Sequence, residues 1–552
     1  MTKGQNMPLD VGRTYFVADS DCHLREEAGG GAKLNHLLLG DWLRVLGPEK
    51  GDWVQVECRG DIGWLPNRQI TEHRALEINF VDIGQGDGCH VVTPDGRIIL
   101  VDAGVGSNMN RFLSWRYDLR DRNVTGAEDH DPVRPAETPQ VIDHVVISHP
   151  DNDHYYGFLE VFENRKLRFE RLWHNGIVER PKEPERPGLR YYSRDDLGGY
   201  AVQNGQRYLW DLRLGDAGMR DLIATHSGTR KQLVSTYRAA LENSPELVFG
   251  ALGRPARALE APVHMADFEA ENPLRIEVLS PLQEEVAFDG ESRTSLRRLG
   301  DETVTKNGHS VVLRLHYGHL RVVLGGDLNA EAQDFLLQRY SGRAEEASKL
   351  ETLIACLKLK ADTRTPQEEV ELRESEAALE DIVARARHFF EADVAKACHH
   401  GSHLFSTAFL RAMNALVTVV ASGDEESYAH PRPDALGTFG KHGRGERPLI
   451  FSTDLARSTR EFNPIHVSFQ RLQYYQAQIA AAETQAEKAR IRREMEMAKD
   501  RNVAIYGMIT LRALGDKVIL AQKLEQPAKN GRKWDIHQLH WSAASGKFHA
   551  AR

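Results

Sequence analysis

The sequence predicts an α/β layered fold with helical insertions, preceded by a small all-β unit. Three observations support this. Residues from about 11 to 73 read as short strands broken by glycine and turn residues. From Leu76 onward apolar strands alternate with helical stretches, the pattern of sheets covered by helices. Two stretches poor in helix breakers, 341–391 and 466–502, interrupt that alternation as helical insertions.

The elements follow in order. In the all-β unit, assigned to residues 1–75, the segments GDWLRVL, GDWVQVE and GDIGWL each place a Gly-Asp turn before an apolar strand. A unit this small needs large aromatics to bury enough surface, so at least two of Trp42, Trp53 and Trp64 are expected in its core. The other reading puts them in a recognition groove. The first part of the layered fold, 76–340, opens with the strands ALEINFVDIG, GCHVVTP, RIILVDAG and VIDHVVISH. Residues 115–140, rich in Asp, Arg and Pro, read as a surface loop, and 180–270 is mixed.

In the first insertion, Thr365-Pro366-Gln367-Glu368 has the form of a capping box with proline at the first helical position. Leu379, Ile382, Val383, Ala386 and Phe390 follow at helical spacing. The second part of the fold, 392–465, is followed by the 466–502 insertion with its stripe of Leu472, Tyr475 and Ile479. The two insertions are expected to pack on each other, with an oligomer contact as the sharper alternative. Strands in 503–552, VAIYGMITLRAL and DKVILAQKL, are expected to complete the sheet.

Composition narrows the class. At 552 residues the chain has room for three or four units, taking roughly 150 residues for each. A formal charge of -9 argues against a protein that coats nucleic acid through general positive charge, while leaving room for a local basic groove. The five cysteines are scattered without metal-ribbon spacing, which suits a reducing compartment. No apolar run has the length of a signal peptide or a membrane span, so a soluble, cytoplasmic protein is expected.

The chemistry concentrates in VVISHPDNDHYYG. An apolar strand ends in a loop that presents His149, Asp151, Asp153 and His154 at short offsets. Imidazole suits zinc, carboxylates suit harder ions and can bridge two of them, and a strand-end loop lets such neighbours converge. A merely structural loop has little reason to gather four groups that would compete for the same partners.

HPDNDH resembles the HxHxDH motif of the metallo-β-lactamase superfamily, with aspartate at the middle histidine. Together with the upstream FVDIGQGDG it is similar to the cytoplasmic hydrolase domain of ComEC-type DNA-uptake proteins. ILVDAG, VVLGGDL and KACHHGS follow in the family's order and supply Asp102, Asp327, Lys396, His399 and His400. The N-terminal turn-and-strand run resembles a bacterial SH3-like barrel.

The resemblance implies a four-layer αββα sandwich holding two divalent ions, zinc or manganese. His149 and Asp151 would serve one ion, Asp153 and His154 the other, with Asp327 bridging and His400 completing the second. His399 would face the substrate, and which of the adjacent histidines is the ligand stays open. Asp102 would orient a ligand histidine or a bound water, or else cap its own turn. The superfamily's further histidine has two candidates, His309 and His174; a turn role is the better reading of His309, with substrate binding as its other expected role. His430, in SGDEESYAHP, would contact substrate or hold its loop.

Metal chemistry of this kind activates a water and needs no serine or cysteine nucleophile. Asp153, His399 and Lys396 are the residues expected at the reaction itself, with Lys396 or His399 neutralising developing charge. Three functions compete. The first is a phosphodiesterase or nuclease, with basic clusters at 165–171, 441–447 and 490–493 as candidate phosphate contacts. The second is a hydrolase of a small phosphoester or other small molecule. The third is a scaffold of a bacterial defence complex, reached by protein partners through the SH3-like unit or the helical insertions. The resemblance extends to no membrane channel, so DNA uptake itself is not expected.

Overall fold

The computed structural model describes residues 8–179, 197–225, 233–423, 429–454, 507–524 and 530–550, with Ala528 and scattered residues between Tyr475 and Ile491. The insertion expected at 466–502 lies almost wholly outside these residues. No described helix is long and apolar enough to cross a membrane.

The N-terminal unit is a seven-stranded antiparallel sheet running from Thr14 to Thr71. Its core is aliphatic: Val17, Leu24, Leu37, Leu43, Val45, Val54, Val56 and Leu65 pack around Tyr15. The expectation that tryptophans fill this core is corrected by strand parity. In Trp42–Val45 the residues Leu43 and Val45 point inward, which sends Trp42 outward with Arg44, and Trp42 is 45% exposed. Trp53 and Trp64 fall on the same outward parity and are half-buried.

This unit docks on the C-terminal strands. Asp41 takes both guanidinium nitrogens of Arg59 at 2.6 and 2.7 Å, and that guanidinium stacks over Trp534. His36 Nδ1 accepts from the Lys533 amide, and Lys517 donates to the Ala18 carbonyl.

Two further sheets face each other. One has ten strands, with Leu76–Phe80 and Ile509–Leu514 paired at its middle and Gln140–Val146 and Leu167–His174 towards one side. The other has six, from Leu274–Ser280 through Val312–Tyr317, Leu320–Leu324, Val394–Lys396 and Val417–Val420 to Leu449–Ser452. Ile78, Phe80, Val91 and Leu511 of the first sheet interleave with Ile276, Leu313, Val322 and Val417 of the second. Strands buried on both faces read as continuous apolar runs, which is why they stand out in the sequence.

Helices cover the outer faces. Asn108–Arg116, Phe158–Glu163 and Leu233–Asn243 pack on the ten-stranded sheet, and Ala330–Ser341, Pro366–Phe390 and Thr407–Met413 on the six-stranded one. The layers run helix, sheet, sheet, helix. The apolar stripe of Pro366–Phe390 faces the helices Ala330–Ser341, Ala347–Leu359 and Thr407–Met413. A smaller five-stranded sheet, drawn from 200–209, 254–255 and 282–297, has no counterpart in the sequence reading.

Pro366–Phe390 starts on a complete capping box: the Thr365 hydroxyl accepts from the Glu368 amide, and the Glu368 carboxylate accepts from the Thr365 amide. Thr365→Ala is expected to cost about 1 kcal/mol of stability, read by denaturant unfolding, with little change in activity.

In each sheet one half is parallel, and the site loops after Ile98–Ala103, Gln140–Val146, Leu320–Leu324 and Val394–Lys396 leave the carboxyl ends of those parallel strands. Such ends are where α/β sheets present chemistry.

Candidate metal centre

Five segments meet at the shared edge of the two sheets. The hairpin 81–87 joins Leu76–Phe80 to Gly88–Val92 and carries Asp87. Gly86, at φ +101°, lies so close to the 151–154 loop that a Cβ there would sit 1.8 Å from the Asp153 carbonyl oxygen. The Asp87 amide donates to that same oxygen at 3.2 Å. Only glycine permits this approach, and it is what carries Asp87 inward.

Asp102 ends Ile98–Ala103 in the left-handed region, φ +56°. One of its oxygens accepts from the Ser148 amide at 2.8 Å and the other faces His154 Nδ1 at 2.9 Å. That pairing turns His154 Nε2 towards the centre, the arrangement a carboxylate gives a metal-binding imidazole. Asp102→Asn is expected to weaken metal affinity by roughly 10–100-fold, measured by competition with a chromogenic chelator, while the fold persists.

Asp327 follows Leu320–Leu324 through Gly325 and Gly326, and its amide donates to Ser310 Oγ at 3.0 Å. Its Oδ2 lies 3.3 Å from His154 Nε2, 3.2 Å from His400 Nε2 and 3.8 Å from His399 Nε2. His399 and His400 both hold positive φ, near 50°, in the turn after Val394–Lys396. The turn sends the two rings different ways: His400 is buried, whereas the His399 side chain keeps 20% of its surface. Lys396 is ion-paired with Asp87.

The ligand atoms of Asp87, His154, Asp327 and His400 all lie within 4.8 Å of one another. Asp87 Oδ1, His154 Nε2, Asp327 Oδ1 and both ring nitrogens of His400 are buried without a hydrogen-bond partner, with Asp87 Oδ1 3.1 Å from His400 Nδ1. Buried polar atoms are ordinarily satisfied, so this group of orphans gathered in one place fits a cation among them. Electrostatics agree. Burial opposes charge on His154 and His400, yet Asp327 with Asp102, and Asp327 with Asp87, outweigh it and hold both imidazoles well above the usual histidine value. Burial would raise the Asp87 carboxyl, but Lys396 and then His400 pull it down to about 2. Two carboxylates and two imidazoles suit zinc or manganese.

Of the other residues marked by the sequence, His149 lies beside this cluster, with ring centroids 4.1 Å from His154, and Nδ1 facing the Ser148 and Ser310 hydroxyls. Asp153 stands at the rim, 3.8 Å from His400 Nε2 and 3.9 Å from His154 Nε2. His430 packs against both downstream histidines, at 5.8 and 6.2 Å between ring centroids. Asp151 points instead to Lys306.

His309 does not join: its Nε2 donates to the Arg297 carbonyl at 2.7 Å, and burial drops its pKa to about 4. His174 is buried on the far side of its strand against Tyr237, with Nδ1 accepting from the Gly176 amide. Burial pushes the Cys398 thiol up to about 12, which removes it as a nucleophile.

Asp87 and Lys306 escaped the sequence reading. For Asp87 the signal was present, an aspartate enclosed by glycines in GQGDG. A second trio, Asp21, His23 and His36, also lies close together, but both ring nitrogens of His36 are taken, by Asp21 and by the Lys533 amide.

Residues 89–237 match the family model described as the metallo-beta-lactamase superfamily. The chain carries a metallo-beta-lactamase superfamily domain. The match includes the His149–His154 loop and Asp102 but stops short of Asp87, Asp327 and His400, which the fold brings to the same place. Among curated proteins none matches the chain.

Proposed function

We propose that this metallo-beta-lactamase domain is a metal-dependent phosphodiesterase that cleaves nucleic acid with water as the nucleophile. The observation that carries the reading is the cluster of Asp87, His154, Asp327 and His400, half of whose donors are carboxylates. A carboxylate-rich set favours harder ions, and such ions suit phosphate oxygens. When bound, the ion supplies a Lewis acid and lowers the pKa of a bound water.

The chain's own residues do the rest. Asp102 fixes the tautomer and direction of His154. Lys396 balances the Asp87 carboxylate inside the fold. Asp153 and His399 stand at the open side, where they meet the substrate and the attacking water.

The test is hydrolysis of single-stranded DNA, duplex DNA, RNA and bis-p-nitrophenyl phosphate with manganese or zinc. Phosphodiester cleavage that disappears in Asp327→Asn is the expected result. A metal-loaded protein that is inert on every phosphodiester but opens lactams or thioesters contradicts the reading.

A second reading, a small phosphoester as substrate, is favoured by where the clusters at 165–171 and 441–447 lie, the one at 490–493 falling partly outside the described residues. Arg165 and Arg444 sit at the amino ends of the parallel strands, bonded to Glu242 and Asp393, away from the cluster. The same substrate panel separates the two. A purely scaffolding role predicts that replacing Asp153 and His154 together leaves biological activity intact; the catalytic reading predicts its loss.

A further inference from the structure

The His149–Asp151 side of the site is built differently from the Asp87–His154–Asp327–His400 side. Lys306, on the short helix Glu302–Gly308, is only 3% exposed. Its ammonium is ion-paired with Asp151 on one side and, at 2.6 Å, with Glu179 on the other. Asp151 Oδ2 faces the neighbouring Asn307, whose amide, turned nitrogen-first, donates to it at 2.8 Å, and lies 3.5 Å from His149 Nε2. Both oxygens of Asp151 are therefore engaged before any ion arrives.

Among the described residues no further histidine completes a second ligand set. His309 is committed to the Arg297 carbonyl, and His174 lies away from the cluster. Ser310, next after His309, gives its hydroxyl to the Asn307 carbonyl and accepts from the Asp327 amide. What remains is His149 Nε2, a carboxylate already neutralised by a fixed ammonium, and a share in the unpartnered Asp327 Oδ1. An ion at Asp151 would face the Lys306 ammonium much as one at Asp87 faces Lys396, but with fewer unpartnered donors around it to offset the repulsion.

We infer that the centre is mononuclear: one divalent ion at Asp87, His154, Asp327 and His400, with the Lys306 ammonium, clamped by Glu179 and Asp151, occupying the electrostatic place of a second ion. The inference rests on reading that cluster as a metal centre. The expected two-ion site corresponds, on this account, to one ion plus one built-in cation. Lys306 then presents fixed positive charge beside His149, where a phosphate oxygen would otherwise meet a metal.

The test is metal stoichiometry of the full-length protein. The chain is loaded with excess manganese, freed of unbound ion, and measured by plasma mass spectrometry and electron paramagnetic resonance. One ion per chain with an uncoupled manganese spectrum is expected. Lys306→Gln is expected to raise the stoichiometry towards two and introduce exchange coupling, whereas Lys306→Arg stays at one. Should Lys306→Gln fail to fold, the wild-type count decides alone. Two coupled ions in the wild type overturn the mononuclear inference while leaving the metal-centre reading intact; no bound ion overturns both.

Discussion

Asp87→Asn is expected to strip the centre of its metal and to lower hydrolysis by on the order of 10³-fold. The residue supplies one of two buried carboxylates in the cluster, on a hairpin held against the 151–154 loop by the Gly86 contact. The variant carries a second consequence. Lys396, also buried, loses its counter-ion. Breaking a buried pair by removing one partner costs about 3–5 kcal/mol, so the melting temperature should fall as well. Adding Lys396→Met is expected to recover stability without recovering metal. Metal content by plasma mass spectrometry and melting by circular dichroism separate the two effects. A single variant that keeps a full complement of metal would remove Asp87 from the ligand set.

Gly86→Ala is the second large effect. The added methyl meets the Asp153 carbonyl, so the hairpin and the 151–154 loop must part. A displacement of about 1 Å at reacting groups is enough to lose on the order of 10²-fold in rate. The hydrophobic core between the sheets lies elsewhere, so melting should shift far less than activity. An active Gly86→Ala enzyme with unchanged metal affinity would mean that this loop contact does not set the geometry of the centre.

These two residues also show where sequence reading stops. The His149–His154 loop is legible because its donors are neighbours in the chain, and Asp102, Asp327 and His400 are legible because each follows an apolar strand. Asp87 gains its role from a backbone approach that only the fold creates, so GQGDG reads as a turn until the 151–154 loop is beside it. Lys306 is harder still. A lysine before Asn-Gly looks like a solvated helix end, and only burial against Asp151 and Glu179 reveals a structural charge. His309 fails for the opposite reason: the spacing is plausible, but the helix end at Gly308 turns its ring towards the Arg297 carbonyl.

At the level of the fold, the strands buried on both faces and the Thr365 capping box are readable because each has a local physical signature. The five-stranded sheet is not, since its short strands come from distant parts of the chain and pair without a common pattern. The tryptophans of the N-terminal unit mislead because size argued for burial, while the alternation of Leu43 and Val45 with Trp42 and Arg44 decides against it.

The most direct test of the metal centre is anomalous diffraction from crystals of the manganese- or zinc-loaded protein, collected on both sides of the metal's absorption edge. A peak enclosed by Asp87, His154, Asp327 and His400 is expected, with none between His149, Asp151 and Lys306. A peak bonded to Asp151 with Lys306 displaced, or no peak among the four ligands, would contradict this.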